Sequence, residues 1–118
     1  MKTICLFFVA SFLVIFSGQA APKKILVYTK NGPGYVHDNI PAAVACFQGL
    51  GKTHQLQVDV SDDPAVFTEA NLAQYQALVF TSTNNDVFAS DAQRLAFRHY
   101  VEAGGGFVGV GFAECVQH

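Results

Sequence analysis

The residues best suited to chemistry lie in one short run, Gly32-Pro33-Gly34-Tyr35-Val36-His37-Asp38. A histidine beside an aspartate in a glycine-rich loop can act as acid, base or metal ligand. If a helix follows, its N-terminus adds a positive field that favours an anion or a polar group. The plainer reading is a solvated loop histidine beside a tight turn whose glycines supply positive φ. Gly32-x-Gly34 also has the opening spacing of a dinucleotide fingerprint. The third glycine position is His37, however, and Pro33 sits between the two that are present, so the close helix–strand approach of that fingerprint is missing. Asp59 could imitate the ribose-binding acid, but alone it specifies nothing. No nicotinamide, flavin or other cofactor is therefore expected.

A second place for chemistry is the run Phe107-Val108-Gly109-Val110-Gly111, which has the form of a strand ending in a nucleophile elbow. The apex is Gly111, which has no side chain, and Glu114 and Cys115 follow at the wrong spacing. His54, His99 and His118 show no ligand spacing, and HxxxH, HxH and CxxC are all missing, so no metal site is expected. Cys46 and Cys115 could pair across a long loop, or remain thiols.

These loops need elements to position them. Ile25-Leu26-Val27-Tyr28-Thr29 is a continuous apolar run, as in a strand buried on both faces. A helix should begin near Asn39, with Asp38 or Asn39 as cap and Pro41 in the first turn. Ile40, Ala43, Val44, Phe47 and Leu50 share one face of it, and Gly49 and Gly51 read as stop signals. Leu56 to Val60 alternates and reads as a strand near an edge. Asp62-Asp63-Pro64 breaks it, and a short helix is expected around Glu69 to Ala73. Ala77 to Thr81 is the third strand, followed by the loop Ser82-Thr83-Asn84-Asn85-Asp86. Ser90 and Gln93 make a capping box for a helix to about Ala103, with Leu95, Phe97, Tyr100 and Val101 as its apolar positions. Gly104-Gly105-Gly106 leads into strand four. Strands alternating with helices imply βαβ units and a mostly parallel sheet, so the fold class is α/β, a three-layer sandwich. Ligands then belong at the carboxyl ends of the strands.

The first twenty of the 118 residues read differently. One charge, Lys2, precedes the apolar block Ile4 to Phe16, and Gly18-Gln19-Ala20 supplies small residues for cleavage, which describes a secretory signal peptide cut after Ala20. The block is short for a membrane span, which takes roughly 18 apolar residues or more, although an uncleaved anchor stays open. The expected mature chain is secreted or periplasmic, with six basic and nine acidic residues. That balance argues against a nucleic-acid binder or a polybasic membrane-surface protein.

Three blocks resemble a known family. Lys24 to Thr29 followed by Gly34-Tyr35-Val36-His37-Asp38-Asn39-Ile40-Pro41 is similar to the opening of ThuA-like (trehalose-utilisation) domains. Phe67 to Phe80 resembles their second block, and Glu102-Ala103-Gly104-Gly105-Gly106-Phe107-Val108-Gly109-Val110 their third. The resemblance covers residues 24–118, most strongly 24–110. It implies a flavodoxin- or class I glutamine-amidotransferase-like fold, a link to sugar or disaccharide metabolism, and a carbohydrate-derived small molecule as partner. It carries His37, with Tyr35, Asp38 and Gly34, over as candidate ligand-binding residues. The family places a histidine directly after the Gly-Val pair, where this chain has Gly111, and the family domain runs well past this point. The expectation is the amino-terminal half of such a domain, an incomplete copy without its own catalysis. A non-catalytic α/β binding or interaction module is the alternative. A hydrolase using Cys115 is a third reading, disfavoured by the spacing.

Overall fold

The computed structural model describes residues 18–111. Most of the expected leader lies outside the described residues, as do Glu114, Cys115 and His118. The elements run β1 (Lys23–Tyr28), α1 (Ile40–His54), β2 (Leu56–Ser61), a 3-10 turn (Pro64–Val66), α2 (Glu69–Leu72), β3 (Ala77–Thr81), α3 (Asp91–Glu102) and β4 (Gly106–Val110). The four strands form one sheet in the order β2-β1-β3-β4, and every pairing is parallel. The α/β expectation holds, and β2 is the edge strand that its alternating pattern implied.

The two-sided apolar runs became the central strands because both of their faces are covered. Leu26 and Tyr28 pair in register with Leu78 and Phe80. On that face they meet Phe67, Phe88 and Phe97 from the segments around α2 and α3. Phe67 stands edge-on to Tyr28 at 4.7 Å and to Phe88 at 4.9 Å. Such edge-to-face pairs add about 0.5–1.5 kcal/mol each beyond the area they bury. The buried Tyr28 hydroxyl donates to the Val87 carbonyl at 2.5 Å, so its polar tip is satisfied. The opposite face carries Val27, Val79 and Val58 and receives α1, which completes three layers.

Two expectations about helices need correction. Gly49 and Gly51 do not stop α1, which runs to His54 and ends at Gln55 in the left-handed region, with φ 56°. Gly51 is there for proximity: a Cβ on it would stand 2.6 Å from Val58 Cγ2 and 2.9 Å from the Leu56 carbonyl oxygen. The helix crosses β2 too closely for any side chain at that point. Leu50 on α1 and Leu95 and Val101 on α3 are exposed, whereas Ala96 and Phe97 are buried. The inward stripe of α3 is thus set by its packing on α2 and the sheet rather than by residue hydrophobicity alone. The Ser90 half of the expected capping box forms, with Ser90 Oγ accepting from the Gln93 amide at 3.3 Å, but the Gln93 side chain reaches the residue before the cap rather than Ser90 itself. Gln93 Oε1 in turn accepts from the Ala89 amide at 2.7 Å.

Candidate functional site

The chain leaves β1 toward β2 on one side and returns to place β3 on the other. The topological switch point therefore lies between the carboxyl ends of β1 and β3, where α/β sheets bind ligands. Two loops meet there, 29–39 after β1 and 82–90 after β3. They are joined by hydrogen bonds between positions about fifty residues apart. The Gly32 amide donates to the Asn84 carbonyl at 3.0 Å. Asn84 Nδ2 donates to the Tyr35 carbonyl, and Asn85 Nδ2 donates to the Pro33 carbonyl at 2.6 Å. Gly34, at φ 126°, holds a conformation open essentially to glycine, and a Cβ there would stand 3.0 Å from Asn85 Nδ2.

The residues singled out by sequence fall at this place. The rings of Tyr35 and His37 stand edge-on, with centroids 5.0 Å apart. Tyr35 is 68% exposed, His37 is half-buried and Asp38 is exposed. Gly111 follows β4 at φ 82°, and a Cβ on it would stand 2.9 Å from Ser82 Oγ, so the elbow position packs directly onto the end of β3. The structure therefore brings Gly34, Tyr35, His37 and Asp38 into one loop and Gly111 onto the neighbouring one.

Other residues of the site were less visible in the sequence. Asn39 is the N-cap of α1, as expected, but its side chain makes no capping bond; Asn39 Oδ1 accepts from the Ser82 hydroxyl at 3.0 Å. Ser82 and Asn85 both lie at positive φ, 48° and 54°. For a serine this costs on the order of 1–2 kcal/mol, which only a well-determined surrounding sustains. Within the described residues, Asn31 Oδ1 and Asn84 Oδ1 are buried acceptors that receive no hydrogen bond. Their amides cannot simply be turned over, because Asn31 Nδ2 donates to the Thr29 carbonyl at 3.2 Å and Asn84 Nδ2 to that of Tyr35. A run of small polar residues directly after a two-sided apolar strand was the available signal for Ser82 to Asp86.

Charge at the site is sparse. Asp86 Oδ2 is 2.6 Å from the Arg94 guanidinium, which also reaches Asp91. The bond to Asp86 raises the Arg94 pKa above its ordinary value. Segments 31–39 and 82–86 contain Asp38 and Asp86 and no Lys or Arg. Among the described residues, no group of three or more His, Cys, Asp or Glu side chains could hold a metal ion. A groove of about 340 Å³ between α2 and α3, lined by Glu69, Leu72, Ala96, His99 and Tyr100, opens beside Gly105 at the other end of the sheet. Cys46 is an exposed free thiol on α1, and its suggested partner Cys115 lies outside the described residues.

A parallel α/β sheet with helices on both faces and a polar loop pair at its β1/β3 switch point defines a three-layer α/β class. Within that class the match is specific: the family model described as ThuA, trehalose utilisation, covers residues 24–118. The chain belongs to this ThuA family. Its structure is similar to the crystal structure of a ThuA-like protein from Bacteroides uniformis ATCC 8492, with a TM-score of 0.62 and 26% sequence identity. The similarity covers 77% of this chain but only 37% of that one. No curated protein sequence matches the chain. No helix among the described residues is long and apolar enough to cross a membrane.

Proposed function

We propose that this ThuA domain binds a neutral, hydroxyl-rich, carbohydrate-derived ligand at the crevice between β1 and β3. One observation carries the reading: the switch point presents an exposed aromatic ring, a half-buried imidazole and asparagine amides, with no Lys or Arg in segments 31–39 and 82–90 and Lys30 alone at the start of the first loop. Uncharged groups that donate and accept hydrogen bonds around an apolar ring suit a sugar better than a phosphate or carboxylate. His37, Tyr35, Asp38 and Gly34 form the ligand-facing loop. The proposed role is binding rather than catalysis, because Gly111 puts no reactive group at the elbow. The leader before Ala21 directs the protein out of the cytoplasm in this reading.

The test is a thermal-shift and calorimetric titration with trehalose, against wild type and His37→Ala. A ligand that binds only the folded state raises stability by RT ln(1 + [L]/Kd), about 2.7 kcal/mol at a hundredfold excess over Kd. Trehalose should raise the wild-type melting temperature and have little effect on the variant. Equal trehalose binding by both proteins would remove His37 from the site, and a shift with glucose 6-phosphate alone would overturn the neutral-ligand assignment.

A further inference from the structure

We infer that Ser82 is the positioning residue of the site: its hydroxyl holds the loop that carries Tyr35, His37 and Asp38 in place from the end of β3. The inference deepens the proposed function and rests on it only for what the ordered loop binds. Ser82 is 1% exposed and follows directly on a strand of the core. It sits at φ 48°, where glycine or asparagine would sit with less strain. Relief of that strain alone would favour glycine. What serine contributes and glycine lacks is the hydroxyl, and this donates to Asn39 Oδ1 at 3.0 Å. Asn39 is the first residue after the His37-Asp38 pair and the N-cap of α1, and its side chain is turned away from capping to receive this bond.

Ser82 is fixed from the other side as well. Its amide donates to the Val110 carbonyl at 2.6 Å, which pins the residue to the end of β4. Gly111 leaves the space that Ser82 Oγ occupies, since a Cβ there would approach it to 2.9 Å. One buried residue thus ties the end of β3 to β4 through its amide and to the β1–α1 loop through its hydroxyl. Ser82 is not placed as a nucleophile: it is enclosed, and its hydrogen-bond partner is an amide oxygen rather than a base.

The experiment compares wild type with Ser82→Gly, Asn39→Ala and Asn39→Asp, by amide hydrogen exchange of the ligand-free protein and by thermal melting. In Ser82→Gly, relieved strain offsets the lost hydrogen bond, so the melting temperature should stay within about 3 °C of wild type. Exchange at the Gly32 and Ala43 amides, which donate to the Asn84 and Asn39 carbonyls, should nonetheless rise by up to about tenfold, while β1 and β3 stay protected. Asn39→Ala should loosen the same residues. Asn39→Asp keeps the acceptor and should restore wild-type exchange. Unchanged exchange at Gly32 and Ala43 in Ser82→Gly, or a uniform rise across the whole sheet, would overturn the assignment. The readout needs no ligand. If the loop loosens as expected but trehalose binds neither wild type nor variant, Ser82 keeps its role and the carbohydrate reading fails.

Discussion

Replacing Tyr75 by Phe should change how the protein responds to alkali, in a direction fixed by its surroundings. Tyr75 is 8% exposed, and its hydroxyl donates to Asp59 Oδ2 at 2.8 Å. Burial, and then the bond to the Asp59 carboxylate and its negative charge, pushes the phenol up from 10.0 to about 12. The folded state therefore holds this proton more tightly than the unfolded chain does. Below pH 10 both states are protonated, and the Tyr75–Asp59 bond contributes in full. Between pH 10 and 12 the unfolded chain releases its proton first, so stability falls as pH rises. By pH 11 the loss from this group is about 1.4 kcal/mol, half of the roughly 2.7 kcal/mol that a shift of two units represents. At pH 7, Tyr75→Phe should itself cost about 1.5–2 kcal/mol, because a hydrogen bond to a charged acceptor is removed from a half-buried carboxylate. Asp59 would keep Gln57 Nε2 at 3.2 Å and the Lys24 ammonium at 3.7 Å. The assay is urea unfolding followed by far-ultraviolet circular dichroism, at intervals from pH 7 to 11, on both proteins. Other groups titrate alike in the two, so the difference isolates Tyr75. The gap in stability should be widest near neutrality and narrow by about 1.4 kcal/mol, to less than a third of its value, by pH 11. Parallel pH profiles for the two proteins would refute the reasoning.

Two further substitutions test the packing that positions the site. Gly51→Ala should destabilise by about 1–3 kcal/mol in urea unfolding, despite the better helix propensity of alanine, because its Cβ would press into Val58 and the Leu56 carbonyl. A gain in stability would show that α1 can lift off β2. Phe67→Ala removes the ring that meets Tyr28, Phe80, Phe88 and Phe97. It should cost about 3–5 kcal/mol, read as a lower urea midpoint with loss of near-ultraviolet tyrosine dichroism.

How much of this was legible in the sequence depends on the range of the interaction. The apolar runs at 25–29 and 77–81 announced central strands because double burial is a property of each strand's own composition, and both strands are where they were expected. Ser90 announced the start of α3 because a cap acts within one turn. Gly51 misled because a glycine in a helix has two uses, ending it or letting something approach, and only the position of Val58 decides between them. The inward face of α3 misled for a related reason: Ala96 is buried by what lies across from it, while the larger Leu95 is not. At the site the same division recurs. Residue types in the 32–38 loop marked its place, since a histidine and an exposed aromatic after the first strand are visible locally. The device that holds the loop was not visible. Ser82 meets Asn39 across 43 residues, Asn84 meets Tyr35 across 49, and Asn85 meets Pro33 across 52. Read locally, Asn39 is a helix cap and Ser82 the first residue of a polar loop. Both roles change only because parallel pairing sets the ends of β1 and β3 side by side. The loop proposed to face a ligand is thus written in one segment, and its rigidity in another, so substitution of Ser82 should disturb the site without changing Tyr35, His37 or Asp38.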